Sequence, residues 1–179
     1  MILIILLVLL LVLVVIYNGL IKSRLKVKNS WSQIDVQLQR RFDLIPNLIE
    51  TVKGYMEHEK DVLTKVTELR SSWSKASSVT EKAQLDNELS GTLKTIMAIS
   101  ENYPDLKSNQ NFSELQEELR NTENKISYAR QFYNDSVTLY NTKLEVFPSN
   151  IIASIFKFKP ELFFEVDNPD AKKNVNVKF

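Results

Sequence analysis

The sequence contains no cysteine, one histidine and three glycines in 179 residues. Without a thiol the chain has no cysteine nucleophile, thiolate metal site, disulfide or lipoprotein-type lipid attachment. The one histidine, His58, sits between Glu57 and Glu59 in "YMEHEKD". Neighbouring residues diverge on a helix, so they do not chelate as an i, i+4 pair would. Three glycines are too few for phosphate-cradling or nucleophile loops. None of G-x-x-x-x-G-K-[ST], G-x-S-x-G or G-x-G-x-x-G occurs. Carboxylate pairs such as Glu117–Glu118 and Glu57–Glu59 read as solvated helix faces. We therefore expect no enzyme: no catalytic residues, no cofactor, no metal and no small-molecule substrate.

Excess charge of one sign is also missing. Lysine plus arginine number 23 against 22 acidic residues, which gives no electrostatic footprint for nucleic acid. Three glycines and five prolines are too few for a loop-rich β fold, and the remaining pattern is helical.

What the chain does have is an apolar start. Residues 2–16, "ILIILLVLLLVLVVI", are all aliphatic, and Tyr17, Leu20 and Ile21 extend the run. About 20 apolar residues span a bilayer core. A signal peptide needs a basic n-region and a small-residue cleavage site. Neither is found, so residues 1–21 are expected to be an uncleaved anchor. Lys22, Arg24, Lys26 and Lys28 follow it. Basic residues stay on the cytoplasmic side, which predicts the N-terminus out and the body in the cytoplasm. The same four charges either set topology alone or also touch anionic headgroups, at ~1 kcal/mol each.

Beyond the anchor, apolar residues alternate at spacings of four and three: Val27, Trp31, Ile34, Leu38, then Ile45, Leu48, Val52, Tyr55, then Val62, Val66, Leu69, Trp73. Such a seam belongs to a coiled coil or bundle. Arg41 and Glu59 interrupt it. A second row, Phe42, Ile49, Met56 and Leu63, widens the face, as suits a helix with two neighbours. Pro46 removes a donor and crowds the carbonyl of Phe42. It either opens a new helix capped by Asp43 or kinks a continuous one, and the unbroken phase favours a kink in a helix reaching residue 76. Arg41, one turn earlier, either snorkels its guanidinium to solvent, donates to carbonyls freed by the kink, or pairs with a carboxylate on a facing helix. The line Arg40, Asp43, Asn47, Glu50, Gly54 reads as a solvated face.

Further on, Ser78 with Glu81 forms a capping box that predicts a helix start, and the helix should end at "ENYPDLKSNQN". A second box, Ser113 with Gln116, opens a long seam through Leu115, Leu119, Ile126, Tyr133, Tyr140, Leu144 and Phe147, stopped by Pro148. "SNIIASIFKF" predicts a short helix lying on the bundle or on the membrane. Residues 159–179 should be an extended tail, loose or, through Val175, Val177 and Phe179, offering a strand to a partner. The expected fold is all-α: a transmembrane helix, a bundle of about four long antiparallel helices over residues 22–158, and the tail.

Three ordered segments resemble the LemA family: "YNGLIKSRLKVKNSWSQIDVQLQRRFDLIPNLIETVKGYMEHE", "ENYPDLKSNQNFSELQEELRNTENKISYARQFYNDSVTLYN" and "FPSNIIASIFKF". The resemblance runs from Tyr17 to about Phe158 and lapses over residues 79–93. It implies a bacterial inner-membrane protein with an antiparallel helical body, and one branch of the family is associated with forming magnetosome membranes. It brings no catalytic residues. Arg40, Arg41, Asp43, Pro46 and Asn47, and Glu123, Asn124 and Lys125, match its motifs and, with Glu59, are packing or assembly candidates. The expected role is a membrane-organising scaffold that binds the lipid bilayer and forms a homo-oligomer, docks other membrane proteins, or does both. The rival is a regulatory adaptor for a membrane protease, sensor or kinase.

Overall fold

The computed structural model describes residues 1–56 and 58–165. Among them are seven helices: α1 (Ile2–Asp43), α2 (Ile45–Lys53), α3 (Lys60–Trp73), α4 (Val79–Ser100), α5 (Pro104–Lys107), α6 (Gln110–Glu145) and α7 (Ser149–Ile155). No strand occurs among the described residues. The fold is all-α, a long apolar N-terminal helix followed by a helical bundle and a tail. Val175, Val177 and Phe179 lie outside the described residues.

At Pro46 the chain keeps its phase. Only Leu44 separates α1 from α2, and its φ of −77° and ψ of −17° remain right-handed helical. Leu38, Ile45 and Leu48 on either side are all fully buried. Pro46 falls in the first turn of α2, where the missing N–H is harmless. Asp43 belongs to α1 and does not cap α2, whose capping residue, Leu44, has no side-chain cap.

The helix expected to reach residue 76 stops earlier, at Lys53, and resumes at Lys60. Gly54 costs about 1 kcal/mol relative to alanine inside a helix. The last turn tightens there, with the Tyr55 N–H donating to the Val52 carbonyl at 3.0 Å. Met56 in the connection is fully buried, which holds the break in place.

The helix starts divide in the same way. Ser78 forms the anticipated capping box: its hydroxyl accepts from the Glu81 N–H at 3.1 Å, and the Glu81 carboxylate accepts from the N–H groups of Ser77 and Ser78 at 3.1 and 3.2 Å. These bonds hold the Glu81 carboxyl below the ordinary carboxylate range, led by those from the Ser78 and Ser77 backbone. The box expected at Ser113 does not start α6. That helix begins one turn, four residues, earlier, where the Asn109 side chain accepts from the Phe112 N–H at 3.1 Å. Asparagine caps as well as serine does, and Phe112, fully buried, anchors the turn. The loop around Pro104 contains the extra short helix α5.

The chain divides into two compact units. The first holds residues 1–40 and 121–163. Its core joins Val27, Ile34 and Leu38 of α1 to Ile126, Tyr133, Val137 and Tyr140 of α6, with Trp31 edge-on to Tyr133 at 5.7 Å. Phe147, expected on the α6 seam, lies beyond the end of the helix and is 78% exposed. The start of the tail is pinned here. Tyr140 and Tyr133 donate their hydroxyls to the carbonyls of Lys159 (3.0 Å) and Leu162 (2.8 Å). The Asn141 amide both donates to the Glu161 carbonyl and accepts from its N–H, each at 3.0 Å. The second unit holds residues 41–120 together with Phe164 and Glu165. In it α3 packs along α4, with Val66, Leu69 and Trp73 facing inward from α3 and Ala83, Leu89, Leu93 and Ile96 from α4.

Candidate functional site

Within the second unit, one charged pair is sealed from water. Asp86 and Ser90 lie one turn apart on α4, so they share a face. Arg41, at the end of α1, points its guanidinium at that face. Its Nη1 donates to Asp86 Oδ1 at 2.7 Å and to the Ser90 hydroxyl at 2.8 Å. The two charged side chains are 4% and 0% exposed. In the same unit the Phe42 and Trp73 rings stack at 4.4 Å with 13° between their planes, and the Lys82 ammonium lies 5.0 Å over Trp73. Arg41 thus turns into the unit, and the solvent-snorkelling alternative does not describe it.

Short charge-assisted hydrogen bonds are among the stronger ones, yet a buried pair rarely adds net stability over an apolar replacement. What it supplies is selectivity: a helix slipped along α4 would bury a guanidinium against leucine. Enclosed in this way, the pair has no route to a substrate. Its chemical capacity is to hold the end of α1 in one register on α4.

The other candidates lie at the surface or beside it. Lys22, Lys26 and Lys28 are exposed and Arg24 is half-buried. The Lys26 ammonium sits 5.4 Å over the Phe132 ring. Arg40 and Asp43 are exposed on α1, Pro46 is half-buried, and Asn47 is exposed. Glu59 is the half-buried residue preceding α3 and makes no side-chain cap there. Glu123 is half-buried on α6, with Asn124 and Lys125 exposed. His58 is exposed. Among the described residues no group of three or more histidines and carboxylates is arranged to hold a metal ion.

Each unit carries open depressions. In the second, a polar groove of about 670 Å³ gathers Asn47, Glu50, Asn109, Glu114 and Glu118. A larger one, about 1220 Å³, runs along Ile49, Met56 and Leu63, the second apolar row, and passes His58. In the first unit a groove of about 670 Å³ is mainly apolar, with Val36, Tyr128, Ala129 and Phe132 beside Lys125 and Gln37. Val36, Tyr128 and Phe132 are 63%, 76% and 44% exposed. They escape notice in the sequence because they stand off the heptad seams; the signal that finds them is a set of large apolar residues on the faces that should be polar.

In α1 there is a stretch long and apolar enough to cross a membrane, none of it fully buried within the protein. The LemA family model matches residues 30–179. The chain is 29% identical over 141 residues to "Protein LemA" of Metamycoplasma hominis, covering 76% of this chain and 63% of that protein. It is 23% identical over 175 residues to "Magnetosome protein MamQ 2" and "Magnetosome protein MamQ 1" of Paramagnetospirillum magneticum, covering 83% of this chain and 64% of each. The chain therefore spans less than two thirds of the length of these relatives.

Proposed function

The chain belongs to the LemA family, and from that premise we propose that it is a non-catalytic scaffold, anchored by α1, that self-associates or docks other membrane proteins to organise the bacterial inner membrane. The carrying observation is the apolar groove of Val36, Tyr128 and Phe132 in the unit that contains the anchor. Exposed apolar clusters on a folded protein mark contact surfaces, and this one stands, at Val36, on the same helix as the anchor, about 22 Å beyond Ile21 at 1.5 Å per residue, within reach of other proteins held at the same membrane. The two magnetosome proteins among the relatives support a membrane-organising role. The basic flank from Lys22 to Lys28 supports an orientation with the body in the cytoplasm.

Crosslinking in native membranes tests this reading. A ladder of self-adducts that collapses in Phe132→Glu is the expected result. One dominant foreign adduct would instead indicate an adaptor for a particular protease, sensor or kinase. Protease added outside intact cells should leave the body uncut, and digestion would reverse the orientation.

A further inference from the structure

A second apolar surface lies against the anchor itself. α7 and its flanks, residues 146–156, read "VFPSNIIASIF" and contain no ionisable side chain. One face of α7 is committed: Ile152 and Ala153 are buried with Leu20, and Leu13, Ile16, Tyr17, Leu144 and Phe158 pack around them. The Tyr17 ring lies 4.7 Å from Phe156 and 5.8 Å from Phe158. The opposite face is bare, with Ile151 49%, Ile155 64%, Phe156 49% and Phe147 78% exposed.

Depth decides what covers that face. Leu13 sits inside the apolar run, about 12 Å from Ile21 at the helical rise of 1.5 Å per residue. If residues 2–21 span the bilayer, whatever packs on Leu13, Ile16 and Tyr17 is at membrane depth as well. We propose that α7 is a second membrane contact, immersed in the bilayer beside the anchor with Ile151, Ile155 and Phe156 against lipid. This rests on the anchoring read above.

The local chemistry suits an environment with little water, where backbone groups need internal partners. The Asn150 N–H donates to the Val146 carbonyl at 2.9 Å, the Ile151 N–H to the Asn150 side chain at 2.9 Å, and the Ser149 hydroxyl to the Val146 carbonyl at 3.0 Å. At the far end Lys157 takes a left-handed φ of 54°. The Phe158 N–H reaches back to the Ala153 carbonyl at 2.9 Å and the Lys157 N–H to that of Ser154 at 3.2 Å. This is a Schellman stop, and it reverses the chain so that Phe158 folds back onto Tyr17. Lys157 and Lys159 are exposed just past it, placed for long side chains to snorkel to the headgroups.

Because the chain has no cysteine, single nitroxide labels can be placed cleanly. Leu9→Cys, Ile151→Cys, Ile155→Cys and Gln131→Cys all alter exposed positions. The full chain carrying each label is reconstituted in vesicles of zwitterionic and anionic phospholipid, and collisions with oxygen are compared with those of a water-soluble nickel chelate. Oxygen should dominate at Leu9, Ile151 and Ile155, and the order should reverse at Gln131. If Leu9 is lipid-facing while Ile151 and Ile155 meet the chelate, or are shielded from both reagents, the immersion of α7 is overturned and the anchor stands. If Leu9 also meets the chelate, the anchor fails and this inference fails with it.

Discussion

Removing either half of the Arg41–Asp86 pair should be the most damaging single polar change in the second unit. In Arg41→Leu, the Asp86 carboxylate loses its 2.7 Å partner while remaining enclosed. In Asp86→Leu, the guanidinium faces leucine and loses its 2.7 Å bond to the carboxylate, while the 2.8 Å bond to the Ser90 hydroxyl remains. Breaking a buried pair from one side costs about 3–5 kcal/mol. At roughly 2–4 °C per kcal/mol for a chain of this size, each single variant should melt on the order of 10 °C below the parent. The double variant Arg41→Leu/Asp86→Leu removes both desolvation costs together and should recover most of the loss. Thermal unfolding of the full chain in detergent micelles, followed by circular dichroism at the helical band, measures all four corners of the cycle. Single losses under about 1 kcal/mol, the range of a solvent-exposed pair, or a double variant that merely sums the singles, would refute the account of the pair as a sealed register lock.

Other parts of the molecule lend themselves to similar tests. Ser78→Ala removes the cap of α4 and should lower stability by about 1 kcal/mol, read as a shift in denaturation midpoint. The Glu81 carboxyl is held low by its backbone donors, so its contribution is present at neutral pH and fades as acid takes pH down through its folded value; the difference between parent and Ser78→Ala should shrink accordingly. Burial, reinforced by Glu161, pushes the Tyr133 phenol from 10 up to about 12. That stabilisation is complete below pH 10 and is lost as pH rises towards 12; burial also raises the Tyr140 phenol, so ultraviolet titration should show late-ionising phenols, and Tyr133→Phe should reduce that late amplitude by one phenol. Lys157→Gly relieves a left-handed residue at the α7 stop and should stabilise by up to about 1 kcal/mol, whereas Lys157→Val should destabilise.

Much of the helix content was legible because periodicity reports burial along a single element. Leu38, Ile45, Leu48, Val66, Leu69, Ile126, Tyr133 and Tyr140 were all expected inward and all are buried. The Ser78 box was legible because its two residues are three apart and bond only to local backbone. The break at Gly54 was not, because the apolar seam continues across it: Val52 and Val66 stay in phase while the backbone between them leaves the helix. The start of α6 was misplaced because two capping residues, Asn109 and Ser113, compete over one turn, and the burial of Phe112 favours the earlier. Asp86 and Ser90 fell in the stretch where the family resemblance lapses, and on sequence alone they read as ordinary polar positions of a helix.

The sequence by itself determined the anchor-like apolar run, the all-helical body, the family and the oddity of Arg41, since each follows from composition or from spacing within one segment. Only the tertiary structure decided which carboxylate Arg41 meets, how α6 pins the first residues of the tail, and that α7 lies on the apolar helix. Those outcomes depend on which faces meet across tens of residues of intervening chain, and such contacts leave no periodic trace in either partner.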